Sequence, residues 1–141
     1  MEVIVSGEEI VNYLPQRPPM VMVSGLHRAD EKSALTSLSI RSENIFVADG
    51  LLSEPGIVEH IAQSVALHAG YGFIKAGKSV PVGYIAAVKN LSIHYLPGVN
   101  EELTTRVEII NYVMNVILVE AVVKVNETIV ATCEMRVFIK E

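Results

Sequence analysis

The stretch from Pro55 to Lys75 reads P-G-I-V-E-H-I-A-Q-S-V-A-L-H-A-G-Y-G-F-I-K, and its composition is typical of a buried helix. Pro55 and Gly56 suit a first helical turn, and no formally charged side chain occurs between Glu59 and Lys75. Apolar side chains spread around the helix, while several Ala and Gly residues permit close approach of other elements. The pattern predicts a core helix with a single carboxylate, Glu59, near its start.

This helix does not have the composition of a membrane span. A span requires about 20 predominantly apolar residues. The polar residues Glu59, His60, Gln63, Ser64 and His68 all fall within this stretch. The sequence therefore predicts no membrane span.

The overall composition favours one domain that associates with another subunit. The chain has 141 residues, of which 50% are apolar and 19% charged, an apolar share that favours burial of surface against a partner. The net charge of −5 is spread along the chain, and no basic cluster is interleaved with aromatic residues. Nucleic-acid binding is therefore not expected.

Cysteine usage and the N-terminal sequence suggest a cytoplasmic protein. Cys133 is the single cysteine, so it cannot form an internal disulfide, and its strand-like surroundings predict a buried structural thiol. The N-terminal residues lack the basic and long apolar regions of a secretory signal. We expect a cytoplasmic location.

The order of predicted elements indicates an α+β fold in which a sheet wraps the central helix. Proline-rich residues 14–20 are expected to be irregular, and residues 43–54 form a loop. Pairing of two copies would cover the free sheet edge, so we expect a dimer. The predicted elements are an N-terminal strand at 2–5, a helix at 7–14 capped by Ser6, strands at 20–27 and 33–42, the helix, and strands at 82–95, 103–114, 116–125 and 128–139.

Four motifs resemble the hotdog-fold 3-hydroxyacyl-(acyl carrier protein) dehydratases, and together they span most of the chain. They are Y-L-P-Q-R-P-P-M-V-M-V (13–23), P-G-I-V-E-H-I-A-Q (55–63), K-N-L-S-I-H-Y-L-P-G-V-N-E-E-L (89–103) and V-N-E-T-I-V-A-T-C-E-M-R (125–136). The family's loop before the helix carries a catalytic His, whereas residues 44–56 contain none and are about two residues shorter. The chain is therefore similar to a divergent branch, associated with aryl-polyene-type pigment pathways, that keeps the helix Glu.

The resemblance implies a single hotdog domain over residues 1–141 and a site at the start of the helix. Glu59 stands where the family has its catalytic carboxylate. The N–H of Gly56 can bind the thioester oxygen, although the glycine can equally serve tight packing. Gln63, one turn beyond Glu59, can hold that carboxylate or bind a substrate hydroxyl. Asp49 is a second catalytic candidate because it is the only titratable residue in the middle of the loop where the family has its His, the alternative being an ordinary Asp-Gly turn.

The implied reaction is dehydration of a 3-hydroxyacyl thioester, carried on an acyl carrier protein or coenzyme A, to the trans-2-enoyl thioester in fatty-acid-like or polyene biosynthesis. Two alternatives are a hotdog acyl-thioesterase and a non-catalytic partner subunit of a dehydratase. The expected oligomer is a homodimer or a heterodimer with a related hotdog subunit. No Cys/His cluster has metal-ligand spacing, and neither a phosphate loop nor a dinucleotide fingerprint occurs, so no cofactor is expected.

Overall fold

The central element of the fold is one long helix, α1, which spans Glu54–Lys75 in a computed structural model that describes residues 2–140. Pro55 lies in its first turn, and Lys75 lies in its last turn, where a cation is favourable. The predicted helix at 55–75 begins one residue later than the observed one and ends at the same residue. Residues on most sides of α1 are buried, as its uncharged sequence indicates. Within residues 2–140, no helix is long and apolar enough to cross a membrane.

A seven-stranded antiparallel sheet packs against α1, in the order β1-β2-β3-β7-β8-β9-β6, and β4 and β5 form a separate small hairpin. A 3-10 helix at Gly7–Asn12 follows β1. The strands of residues 2–140 are β1 (Val5–Ser6), β2 (Gly25–Ala29), β3 (Ser33–Ser39), β4 (Val47–Ala48), β5 (Leu51–Leu52), β6 (Val82–Ile93), β7 (Glu102–Val113), β8 (Val116–Val125) and β9 (Thr128–Lys140).

The hydrophobic core lies between the inner face of the sheet and the helix. Strand β8 alternates buried and more exposed positions, as a strand with one covered face does. Its neighbour β9 places Cys133 opposite Ala121 in the core. Burial, with a smaller effect of Glu134, raises the pKa of the Cys133 thiol to about 11. The prediction of a buried structural thiol is confirmed.

Three local predictions were wrong, and in the first of them a tertiary contact takes the place of strand pairing. Residues 20–24 are not part of a strand, since the N–H of Met22 bonds the Gln63 side chain instead of a neighbouring strand. Strand β2 therefore begins only at Gly25. Ser6 makes no side-chain cap to the helix that follows it. The loop at 43–54 contains the β4–β5 hairpin.

Strand β6 is a long edge strand of the sheet. It pairs only with β9 among the described strands, and most of its residues are exposed or half-exposed. An apolar edge with unpaired backbone groups is a template for pairing with another chain. Five large apolar side chains on β6 are between 37% and 55% exposed: Val82, Tyr84, Ile85, Val88 and Leu91.

Candidate active site at the start of the central helix

Gly56 lies at a point where the helix start touches the β4–β5 hairpin. A Cβ at this position would come within 2.7 Å of both Leu52 Cδ1 and Phe46 Cβ, so tight packing alone requires glycine. The Gly56 N–H has no acceptor among the hydrogen bonds of residues 2–140, whereas the N–H of Ile57 bonds Ser53 O at 3.1 Å. Gly56 therefore combines a packing role with a free donor in the first helical turn.

Glu59 and Gln63 are joined by a hydrogen bond across one helical turn, as expected from their spacing. Gln63 Nε2 donates to Glu59 Oε2 at 2.8 Å and to Met20 O at 2.7 Å, while Gln63 Oε1 accepts from the Met22 N–H at 2.6 Å. The amide donors of this buried glutamine are thus used within the protein. The geometry favours Gln63 as the residue that positions Glu59, rather than as a substrate ligand.

Glu59 is half-buried and lines a cavity of about 240 Å³. The cavity lies between the helix, the residues that follow the 3-10 helix, and the edge of the sheet. It opens beside β6, the strand without a second neighbour. Its lining residues are Gln16, Glu59, Ala62, Ala66, Gly83, Tyr84, Ile85 and Val137.

Asp49 lies in the two-residue turn between β4 and β5. Its φ of 54° and the φ of 76° at Gly50 are those of a type I′ hairpin, which favours Asp-Gly. The side chain is exposed and is not part of the lining of the Glu59 cavity. The turn interpretation therefore has direct structural support, and a catalytic role of Asp49 stays a prediction.

His60 is a buried group whose importance the sequence did not reveal. Its Nδ1 lies 2.7 Å from Met22 O, which can only accept, so Nδ1 carries the proton and Nε2 accepts from Thr105 Oγ1 at 2.8 Å. Desolvation lowers the pKa of His60 to about 4, against a smaller opposing effect of the Met22 bond. His60 and Gln63, three positions apart on the helix, thus hold the same backbone segment.

We expect the stability of the protein to fall between pH 7 and pH 5 because of His60. The unfolded chain takes up a proton near pH 6.5 and the folded chain only near pH 4, so the unfolded state gains protons first as the pH falls. The expected loss is about 2 kcal/mol at pH 5, from the linkage relation. Chemical denaturation at pH 7 and at pH 5 measures this change in the free energy of unfolding. If His60→Gln loses the same free energy between the two pH values, the loss does not come from His60.

The other histidines have structural surroundings away from Glu59. His27 Nε2 lies 2.7 Å from Ser37 Oγ, His68 Nε2 lies 2.6 Å from Asp30 O, and His94 is exposed. Within residues 2–140 no group of three His, Cys, Asp or Glu side chains is arranged to hold a metal ion.

A larger cavity of about 550 Å³ lies along the second half of the helix. Its wall includes Val65, Phe73 and Ile109, and its rim includes both Asp30 and Lys75. The Asp30 carboxylate is already used by Lys32 N at 2.9 Å and Ser33 N at 2.8 Å. This cavity does not include Glu59, so the smaller cavity is the candidate active site.

The architecture and the site define a hotdog-fold protein with a carboxylate on its central helix. The chain belongs to the ApeP-like family, whose model, ApeP dehydratase, matches residues 8–141. The fold prediction and the resemblance to hotdog-fold dehydratases are both confirmed. A search of curated proteins finds no match.

Solved structures support the same fold at low sequence identity. A chain of the dehydratase heterocomplex ApeI:P from Xenorhabdus doucetiae superposes with a TM-score of 0.88 and 14% identity, over 94% of this chain and 91% of that one. Cj0977, a sigma28-regulated virulence protein from Campylobacter jejuni, has a TM-score of 0.72 and 16% identity, with 94% and 96% covered. A hypothetical thioesterase protein with coenzyme A from Streptococcus pneumoniae has a TM-score of 0.65 and 10% identity, over 82% of this chain and 84% of that one.

Proposed function

We propose that the chain is one subunit of a heteromeric dehydratase that converts a 3-hydroxyacyl thioester to the trans-2-enoyl thioester. The observation that carries the proposal is the position of Glu59, held by Gln63 in a cavity that opens beside the unpaired edge strand β6. A site at a sheet edge is completed by whatever subunit pairs there. Membership of the ApeP-like dehydratase family supports the reaction class.

The reaction needs three groups, and this chain offers two of them. The Gly56 N–H binds the thioester oxygen as negative charge develops on it, near the positive end of the helix dipole. Glu59 donates a proton to the departing hydroxyl, and the hydrogen bond from Gln63 fixes the direction of its carboxyl. The third group is a base that removes the proton next to the carbonyl.

The partner subunit supplies this base as an imidazole from the loop before its own helix. The corresponding loop here has no His, and Asp49 lies in an exposed turn. The apolar edge of β6 provides the surface on which a related hotdog subunit continues the sheet. The similar Xenorhabdus doucetiae structure is a heterocomplex, which supports a partner of this kind. The acyl group arrives on an acyl carrier protein or on coenzyme A.

The test mixes the purified chain with a hotdog dehydratase subunit that carries the loop His. Light scattering then measures the size of the complex, and an activity assay measures dehydration. We expect a stable complex, and we expect the complex to form the conjugated enoyl thioester from a 3-hydroxyacyl thioester faster than either subunit alone. A chain that remains monomeric at micromolar concentration in the mixture would contradict the site across the edge.

The products also separate this proposal from the two alternative functions. Release of a free thiol without enoyl formation would identify a thioesterase instead. A complex that dehydrates equally well with Glu59→Gln would identify a non-catalytic subunit. Formation of a homodimer active without any partner would keep the reaction but reject the heteromer.

A further inference from the structure

The side chain of Gln16 has an unused acceptor next to the Glu59 cavity. Its Oε1 is buried and has no hydrogen-bond partner, the one such side-chain atom in residues 2–140. The backbone oxygen of Gln16 is already used, because it accepts from Arg17 Nη1 at 2.8 Å. Gln16 and Glu59 line the same cavity.

An unpaired buried amide oxygen is costly for a folded chain. The loss of its hydrogen bond to water costs about 1–3 kcal/mol unless a partner replaces it. The terminal amide of glutamine turns easily, because its last torsion has broad preferences. A donor that enters the cavity can therefore recover this energy as binding energy.

We infer that Gln16 binds the 3-hydroxyl group of the substrate, a role that rests on the proposed function. An amide oxygen only accepts hydrogen bonds, so its partner must be an N–H or O–H. The thioester carbonyl has no proton to donate, and the amide N–H of the carrier arm lies beyond the sulfur. The 3-hydroxyl is the donor next to the reacting carbons.

This contact orients the hydroxyl for its departure. The hydroxyl hydrogen bonds to Gln16 Oε1, which leaves a lone pair of the hydroxyl oxygen to take the proton of Glu59. The partner's imidazole takes the proton from C2, the electron pair of that C–H bond forms the C2–C3 double bond by way of the enolate, and the C3–O bond breaks as Glu59 protonates the departing oxygen. Water leaves, and a proton passes from the imidazolium back to Glu59 before the next turnover.

The test compares two thioesters in the assembled complex that differ only in the hydroxyl. 3-Hydroxybutyryl-N-acetylcysteamine is the substrate, and butyryl-N-acetylcysteamine is a competitive inhibitor with the same carrier N–H. Gln16→Met keeps the length of the side chain and removes its acceptor. We expect KM for the hydroxy compound to rise about tenfold, the value of one hydrogen bond, and Ki for butyryl thioester to stay unchanged.

Each result has a separate meaning. Equal weakening of both compounds, or no weakening of either, would overturn the role of Gln16 even when the wild-type complex is active. A wild-type complex that neither binds nor dehydrates the hydroxy compound would overturn the proposed function itself. Thermal melting of Gln16→Met checks that the variant retains its fold.

Discussion

The variant Glu59→Gln is expected to lower kcat of the assembled dehydratase by about 10²–10⁴-fold, the usual contribution of a positioned acid or base. The amide oxygen of the new glutamine can still accept the hydrogen bond that Gln63 Nε2 now donates to Glu59 Oε2. The variant therefore loses the transferable proton and keeps the contact across the helical turn. We expect an unchanged melting temperature and unchanged association with the partner.

Glu54→Gln is the matched control for this experiment. Glu54 lies in the first turn of the same helix, but it is exposed and does not line the cavity. Its replacement makes the same change of carboxyl to amide near the helix start, and we expect full activity. If both variants lose activity to a similar extent, the effect does not depend on the position of the carboxyl in the cavity. Near wild-type turnover by Glu59→Gln would identify this chain as a non-catalytic subunit, with proton transfer carried out by the partner.

The sequence predicted those elements whose determinants are local. The uncharged apolar run gave the limits of α1 to within one residue, and the turn at 126–127 separates β8 and β9 as expected. Strand β8 has the predicted limits because its apolar alternation is strict. Periodicity and turn residues were therefore sufficient for the helix and the long strands.

The contacts around the site could not be predicted because they join distant parts of the chain. Residues 20–24 look like a strand in sequence, but the backbone of Met20 and Met22 is held by His60 and Gln63 side chains about 40 positions away. The prediction that Gln63 can hold Glu59 succeeded because those two residues are neighbours on one helix. No sequence pattern indicates the unpaired Gln16 Oε1, since its burial follows from the packing of the proline-rich segment.

The close packing of that segment against the helix depends on Gly70. A Cβ at Gly70 would overlap the carbonyl oxygen of Tyr13 and come within 2.9 Å of its carbonyl carbon. Both are backbone atoms, so no side-chain rotation relieves the overlap. Tyr13 precedes the fully buried Leu14 and lies three residues before Gln16, which connects this contact to the cavity.

We therefore expect Gly70→Ala to destabilise the protein by about 3 kcal/mol, the upper part of the usual range for overpacking. This corresponds to a fall of about 10 °C in Tm for a chain of this size. Helix propensity alone predicts the opposite sign, because Ala favours helix over Gly by roughly 0.5–1 kcal/mol.

Gly72 separates these two effects, since it lies in the same helix, is exposed and would place a Cβ in open space. Gly72→Ala should therefore raise Tm by a few degrees, from the same propensity of roughly 0.5–1 kcal/mol. If Gly70→Ala melts at the same temperature as Gly72→Ala, the segment that carries Tyr13 and Gln16 does not pack against the helix as closely as described.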